Sequence, residues 1–240
     1  MIAQKWLGFG GRVSHRSAAA LFGLDGLEQG WIELTTCHKR TSPGGMVIHE
    51  TRRLHPHDGT TLRGFHVTTP AKTLLDLGSV VNQDTVELAL EDALRRKVTT
   101  LAALRWQLRT KGGRGIRGSA TLRRLLSMRP DGYQPTGSGL EVLLDQLLRT
   151  LPVPVYVKQH PVQTRIGTKF LDFAFVNRRV GLEAVSYKWH SGRQASANDI
   201  QRDRALQAEG WRIIYVTKED LEVRRDRFIE DLFLALDRQM

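Results

Sequence analysis

The stretch that decides the fold of the C-terminal half is KFLDFAFVNRRVGLEAVSY, residues 169–187. Two apolar runs, 169–176 and 180–187, are separated by a polar turn, and their length and their content of Val, Leu and Phe predict buried strands. Each run contains one acid, Asp172 in the first and Glu183 in the second. Because a carboxylate among apolar neighbours needs a partner or a metal ion, both residues are candidates for a functional site.

Helices and strands are predicted on both sides of this pair. A helix over 138–148 and a strand over 154–162 precede it, and a helix over 200–209, a strand over 211–216 and a helix over 219–236 follow it. Gly210 is typical of a helix C-cap. The order of helix, three strands, helix, strand and helix predicts an α/β layer with a mixed sheet flanked by helices.

The N-terminal half has a mixed pattern. Strands are predicted over 31–36, 46–51 and 60–68, and helices over 14–24, 71–77, 84–97, 101–108 and 121–128. Ser14 can cap the first helix, and Thr69-Pro70 is a helix start. Turn residues between Pro130 and Gly139 mark a boundary. We therefore predict an α+β chain with two domains, residues 1–130 and 136–240.

The composition limits the classes of protein that the chain can represent. A single cysteine, Cys37, excludes a disulfide framework and a zinc site built from cysteines, and it favours a reducing, cytoplasmic location. No apolar run approaches the roughly 20 residues of a membrane span. The net charge of +11 favours a polyanionic partner, and DNA is the one that we expect.

The positive charge is concentrated in one block. Residues 95–130 contain no Asp or Glu. Such a block repels itself unless an anion lies against it, although a solvated surface is the alternative. The glycines around residues 112–118 would let the backbone approach a phosphodiester. We expect phosphate contacts from four arginines: Arg114, Arg117, Arg123 and Arg124.

Three acids of the second domain are candidate metal ligands. Asp172 and Glu183 lie on adjacent predicted strands and can converge on one hard cation, or each can have its own Arg or Lys partner. Glu141 can assist from the preceding helix, or it can form a capping box with Ser138.

A possible base and its supporting residues follow the second strand. His190 can act as a general base, although a lone histidine of this kind is usually just exposed. Asp199, Arg202 and Asp203 share one face of the next helix. That face either supports His190 and meets phosphate, or it is a salt-bridged surface stripe.

Taken as an ordered set, these residues resemble a known nuclease family. Glu141, the Leu-Asp-Phe strand, EAVSYKWH at 183–190, DIQRD at 199–203 and GWRIIYVT at 210–217 are similar to the very-short-patch-repair (Vsr)-like endonucleases of the PD-(D/E)xK superfamily. The resemblance implies a phosphodiesterase dependent on Mg²⁺ or Mn²⁺. In it Asp172 and Glu183 bind the metal, Glu141 and His190 complete the catalytic set, and Asp199, Arg202 and Asp203 support them.

One departure from that family concerns the slot two residues after the second acid. The superfamily usually has a lysine there, and related chains often have an acid, but this chain has Val185. Lys188 or Lys169 would have to replace it, and strand alternation does not favour Lys188. If the chain is a nuclease, we therefore expect a slow one.

The first half resembles a different family. SHRSAAA at 14–20, TTPAKTLLD at 68–76 and RGIRG at 114–118 are similar to AbiEi-type antitoxins and transcriptional regulators. The resemblance implies DNA and a cognate toxin as partners. Chains of that type usually begin with a winged helix-turn-helix, whereas here the Ser14 helix comes almost at once, which weakens the case for sequence-specific operator binding.

Three hypotheses follow for the function. The first is a Mg²⁺-dependent DNA endonuclease in defence, toxin–antitoxin or repair. The second is a non-catalytic, antitoxin-like regulator with a degenerate nuclease fold. The third is an interaction protein whose basic face binds an acidic partner. A shared cleft for Glu141, Asp172, Glu183 and His190 would favour the first over the second. Salt-dependent binding to plain duplex DNA would favour the second over the third.

Overall fold

The computed structural model describes residues 11–27, 30–38, 44–51, 54–113, 115–185 and 193–237, with only the backbone described for 193–197. The chain divides into two compact units, Met1–Gly139 and Leu140–Met240. Each unit combines a mixed sheet with helices, which confirms the predicted α+β class. In the described residues no helix is both long enough and apolar enough to cross a membrane.

The first unit contains a five-stranded sheet in the order β3-β2-β1-β5-β4. Its strands are β1 (Gly11–Val13), β2 (Ile32–Thr36), β3 (Met46–Glu50), β4 (Gly59–Leu62) and β5 (Phe65–Thr68). β1 pairs antiparallel with β2 and parallel with β5, while β2 and β3 are parallel. The single strand predicted over 60–68 is wrong, because Arg63 (φ +51°) and Gly64 (φ +79°) form a tight turn between β4 and β5.

Helices of the first unit pack into a leucine-rich core. They are α1 (His15–Phe22), α2 (Pro70–Leu77), α3 (Gln83–Arg95), α4 (Leu101–Lys111) and α5 (Ser119–Ser127). The Thr69 side chain accepts a hydrogen bond from Lys72 N at 3.4 Å and Pro70 is the first helical residue, so the predicted start of α2 is confirmed. The core includes Leu74, Leu75, Leu90, Leu104, Leu122 and Leu125.

Gly118 lies where α5 begins, against the end of α2. Its φ is +83°, and a Cβ at this position would lie 2.0 Å from the carbonyl oxygen of Leu75. On the other side, a Cβ on Gly78 would lie 2.9 Å from Gly118 Cα. Two glycines therefore allow the backbones of α2 and α5 to touch, which no side chain would permit.

The second unit follows the predicted order of elements closely. It contains α6 (Gly139–Leu148), β6 (Val157–Thr164), β7 (Gly167–Phe175), β8 (Val180–Ala184), α7 (Arg193–Ala208), β9 (Arg212–Val216), α8 (Lys218–Glu222) and α9 (Arg225–Asp237). The sheet order is β6-β7-β8-β9, with antiparallel pairs up to β8 and a parallel β8–β9 pair. The single closing helix predicted over 219–236 is wrong: α8 ends where the amides of Val223 and Arg224 both bond to the carbonyl of Glu219.

Both faces of the second sheet are covered. On one face Phe173, Phe175 and Leu182 pack with residues of α6 and α9. On the other face Leu171 and Ala174 pack with Leu206 of α7 and with Trp211. The two acids of β7 and β8 consequently lie at the end of a largely apolar layer, where burial disfavours their charged forms.

Candidate carboxylate site

The strands β7 and β8 separate where the two acids lie. Their ladder ends with the pair Phe173–Leu182, and Asp172 and Glu183 are the next residues on the two strands. Asp172 Oδ2 accepts a hydrogen bond from the amide of Ala184 at 2.9 Å. The carboxylate thus takes the place of a backbone acceptor and fixes the end of β8.

Gln159 of β6 connects Asp172 to the third acid. Its Nε2 donates to Asp172 Oδ1 at 3.0 Å and, over 3.4 Å, to Glu141 Oε2. Gln159 has a φ of +50°, a left-handed conformation that residues with side chains rarely adopt. Strained backbone of this kind is concentrated at functional sites. No pattern in the sequence indicated a role for Gln159, because a glutamine in an exposed edge strand is ordinary.

Glu183 is paired with Arg202 of α7. Arg202 donates through one terminal nitrogen to Glu183 Oε1 at 2.5 Å and to the carbonyl of Phe170 at 2.8 Å. The pKa of Glu183 is raised to about 7, mainly by burial. The charges of Asp172 and Asp203 also raise it, and Arg202 opposes the increase. Glu183 therefore exchanges a proton near neutral pH, which is a property of functional carboxylates.

The predicted helix face is partly assembled around this pair. Asp203 accepts a hydrogen bond from the hydroxyl of Tyr215 on β9, and burial raises the pKa of that hydroxyl. Asp199, one turn earlier, is half-buried. Arg202 and Asp203 thus contact the sheet rather than forming a surface stripe. The candidate base His190 and the alternative Lys188 lie outside the described residues.

The arrangement does not fit a divalent ion held by three carboxylates. Among residues with described side chains, Glu141, Asp172 and Glu183 do not bring three ligand atoms within 4.8 Å of one another. Amide donors occupy both oxygens of Asp172, and a guanidinium occupies Glu183. Val185, in the slot that is usually charged, uses its backbone amide to bond Val216 O at 2.9 Å.

Much of the basic block is neutralised inside the first unit. The buried Arg129 contacts Glu91 Oε1 at 2.6 Å and Glu87 Oε1 at 3.0 Å. Acids from other segments also pair with four further members of the block: Arg95, Arg96, Arg105 and Lys111. Part of the block therefore needs no external anion, because acids of the first unit outside residues 95–130 pair with it.

Four other arginines of the block are described and exposed. Arg117 precedes α5, Arg123 and Arg124 lie on it, and Arg109 lies near the end of α4. None of these four forms an ion pair with another residue that the structure describes. Arg114, the fourth predicted phosphate contact, lies outside the described residues. We call Arg117, Arg123 and Arg124 the exposed arginines.

A family model matches most of the first unit, and two related proteins match most of the chain. The family model of the AbiEi antitoxin C-terminal domain matches residues 11–128, from β1 to the end of α5. An uncharacterized protein in each of two strains of Mycobacterium tuberculosis is 26% identical over 226 residues, covering 92% of this chain and 80% of theirs. No solved structure matches the chain.

Proposed function

We propose that this chain is an antitoxin-like protein that binds nucleic acid and a cognate toxin, with a second unit that does not hydrolyse phosphodiesters efficiently. The match of residues 11–128 to an antitoxin domain carries the proposal and fits a toxin–antitoxin context. The similarity to the mycobacterial proteins extends beyond those residues, since it spans 226 residues. The toxin is inferred from the family description alone.

The exposed arginines support the nucleic-acid part of the proposal. Guanidinium groups without internal carboxylate partners are available to phosphate oxygens, which they recognise well. They lie on a helix and the loop before it, and no base-reading element is required for contacts of this kind. We therefore expect binding that depends on salt and differs little between DNA sequences.

The test is the salt dependence of binding to plain duplex DNA. Replacing Arg117, Arg123 and Arg124 by alanine should lower the affinity for all sequences. It should also reduce the slope of log K against log salt by about 1 for each arginine that contacts a phosphate. A matched control removes three exposed cations of the second unit, Arg204, Arg225 and Arg227. Equal slopes for the wild type and the exposed-arginine variant would reject the proposal.

A second candidate function is phosphodiester hydrolysis dependent on Mg²⁺ or Mn²⁺. The observation that favours it is the position of Asp172 and Glu183 side by side, where the pairing of β7 with β8 ends. Burial also raises the pKa of Glu183 to about 7. The absence of a charged side chain at Val185 and the Arg202 contact weigh against it. For this reason it ranks second.

A nuclease assay distinguishes the two candidates. Wild type, Asp172→Ala and the exposed-acid control Asp226→Ala would be incubated with plasmid DNA and either metal. Cleavage by the wild type and the control, lost in Asp172→Ala, would establish the nuclease. Absence of cleavage with both metals, together with salt-dependent DNA binding, would leave the binding protein as the function.

A further inference from the structure

A buried polar cluster lies in the first unit where α1 meets β2 and β3. His15 is the first residue of α1, Glu33 belongs to β2 and His49 to β3. The two imidazole rings stack with centroids 3.5 Å apart, and His49 Nε2 lies 3.1 Å from Glu33 Oε2. One ligand atom from each of the three residues lies within 4.8 Å of the others.

A hydroxyl group on its Nδ1 side holds the His15 ring in place. Its Nδ1 lies 2.9 Å from Ser14 Oγ, which also accepts a hydrogen bond from the Thr35 hydroxyl at 2.7 Å. With Nδ1–H donating to that hydroxyl, Nε2 keeps its lone pair, and such an outer partner orients metal-binding histidines.

The backbone at His15 is also unusual. Its φ is +50°, although it is neither glycine nor asparagine. The preceding Ser14 occupies the N-cap position of α1, but its side chain makes no capping hydrogen bond. The hydroxyl instead contacts His15 and Thr35. The predicted capping role of Ser14 is therefore wrong, because its side chain belongs to the polar cluster.

Glu33 is held between Arg16 and His49, and two further acids of the first unit, Asp58 and Asp76, are buried. Asp76 Oδ2 and Asp58 Oδ1 are buried without a hydrogen-bond partner among the described residues. The charge of Asp76 interacts with His49. Lys72 and Lys111 pair with the other oxygens of Asp76 and Asp58, so these two acids already have cationic partners and the case for an ion rests on His15, Glu33 and His49.

We propose that His15, Glu33 and His49 bind one borderline divalent transition-metal ion, with Zn²⁺ the best match. Two imidazoles and a carboxylate suit Zn²⁺, whereas Mg²⁺ and Ca²⁺ prefer oxygen ligands alone. Three protein ligands leave a fourth position open, as in catalytic zinc sites. The His49 side chain is 23% exposed, so an ion can enter from its edge.

Binding requires at least one of the two imidazole rings to rotate out of the stack, because the in-plane lone pairs of nearly parallel rings do not point at one ion. The ion replaces the hydrogen bond between His49 and Glu33, and the ligand atoms close to the spacing set by metal–ligand distances of about 2.0–2.2 Å. Arg16 contacts the other oxygen of Glu33, so Oε2 remains available to the ion. The site lies wholly within the first unit and does not depend on the proposed binding of nucleic acid.

The test is a metal titration of the full chain after treatment with a chelator. Co²⁺ serves as a visible probe, because its absorption reports tetrahedral coordination, and Zn²⁺ is then used to displace it. We expect one equivalent to bind, with affinity at least about tenfold weaker in His49→Ala. His66→Ala removes an exposed histidine of β5 as the matched control and should bind like the wild type.

Thermal unfolding provides a second readout that also checks folding. An ion that binds the folded state raises the unfolding temperature, so Zn²⁺ should stabilise the wild type and His66→Ala but not His49→Ala. His49 is used rather than the buried Glu33, because a partly exposed residue is better tolerated. The conservative variant His49→Gln should behave like His49→Ala. No uptake by the wild type, or equal affinity in the wild type and His49→Ala, would overturn the proposal and leave a structural hydrogen-bond network.

Discussion

Each unit contains a cluster of buried acids, and the two clusters differ in the partners that compensate their charge. In the first unit, Arg129 lies between Glu87 and Glu91, and the hydroxyl of Tyr133 donates to Glu91 at 2.8 Å. Burial would lower the pKa of Arg129, but the two glutamates raise it instead. A cation placed between two acids and fully hydrogen-bonded is an arrangement that holds helices together.

In the second unit, the acids near the ends of β7 and β8 have different partners. Gln159, which carries no charge, joins Glu141 to Asp172, and among the described ion pairs Arg202 neutralises Glu183. The pKa of Glu183 is raised by burial to about 7, although Arg202 opposes the shift. Like charges that converge at a cost in stability are more typical of sites that act on something than of sites that only hold a fold.

The largest effect should follow from removing the cation in the first unit. Arg129→Met leaves Glu87 and Glu91 buried without a positive partner, and breaking a buried pair costs about 3–5 kcal/mol. Urea unfolding would measure the loss. The control Arg123→Met, at an exposed position of α5, should change stability by no more than about 0.5 kcal/mol. A loss for Arg129→Met as small as the control would mean that the triad does not hold the helices.

An intermediate effect should appear as a pH dependence that comes from Glu183. Its pKa is 4.5 in the unfolded reference and about 7 in the fold, so between these values the folded state binds more protons. Its contribution to stability is therefore fully present below about pH 4.5 and is lost as the pH rises through about 7. His15 has the opposite sign, since its pKa falls from 6.5 to about 3 on folding.

The contribution of Glu183 to stability is obtained from the difference in unfolding temperature between the wild type and a variant without the carboxylate. Thermal unfolding of the wild type and Glu183→Gln would be compared at pH 5, 6, 7 and 8 under one buffer system. The advantage of the wild type over the variant should shrink as the pH rises. Glu230→Gln, an exposed acid of α9, should run parallel to the wild type. An advantage that grows with pH would show that Arg202 dominates over burial.

The smallest effect concerns the repulsion between the two strand-end acids. Asp172→Asn preserves an acceptor for the Ala184 amide but removes a charge that raises the pKa of Glu183. We expect the pKa of Glu183 to fall by less than burial raises it, as measured by NMR titration of the labelled carboxyl group. An unchanged pKa would mean that the two acids do not interact, and the contrast between the two units would weaken.

Features set by the local pattern were predictable from the sequence. Apolar runs around Asp172 and Glu183 predicted two neighbouring strands, and side-chain periodicity is enough for that. Thr69-Pro70 predicted the start of α2 because both residues act within one helical turn. The hairpin turn at Arg63-Gly64 was missed, since a glycine inside an alternating run is also compatible with one strand.

Features set by distant contacts were not predictable. The block over 95–130 shows one sign of charge, but the acids that neutralise Arg129 come from α3, about forty residues earlier. The side chain of Gln159 contacts Glu141 and Asp172 from a left-handed backbone conformation that the local sequence does not indicate. His15, Glu33 and His49 are spread over three elements, and a single sequence gives no reason to group them.

The backbone contact at Gly118 also affects how the loop between α4 and α5 meets a ligand. Among the described residues of this loop, Gly112 directly follows α4, and Arg117 precedes Gly118, which lies against Leu75. A short segment with both ends fixed has few conformations to lose when it is ordered by a partner, so its binding carries a smaller entropic penalty. Arg117, the residue beside that fixed end, is accordingly the exposed arginine best prepared to meet a phosphate.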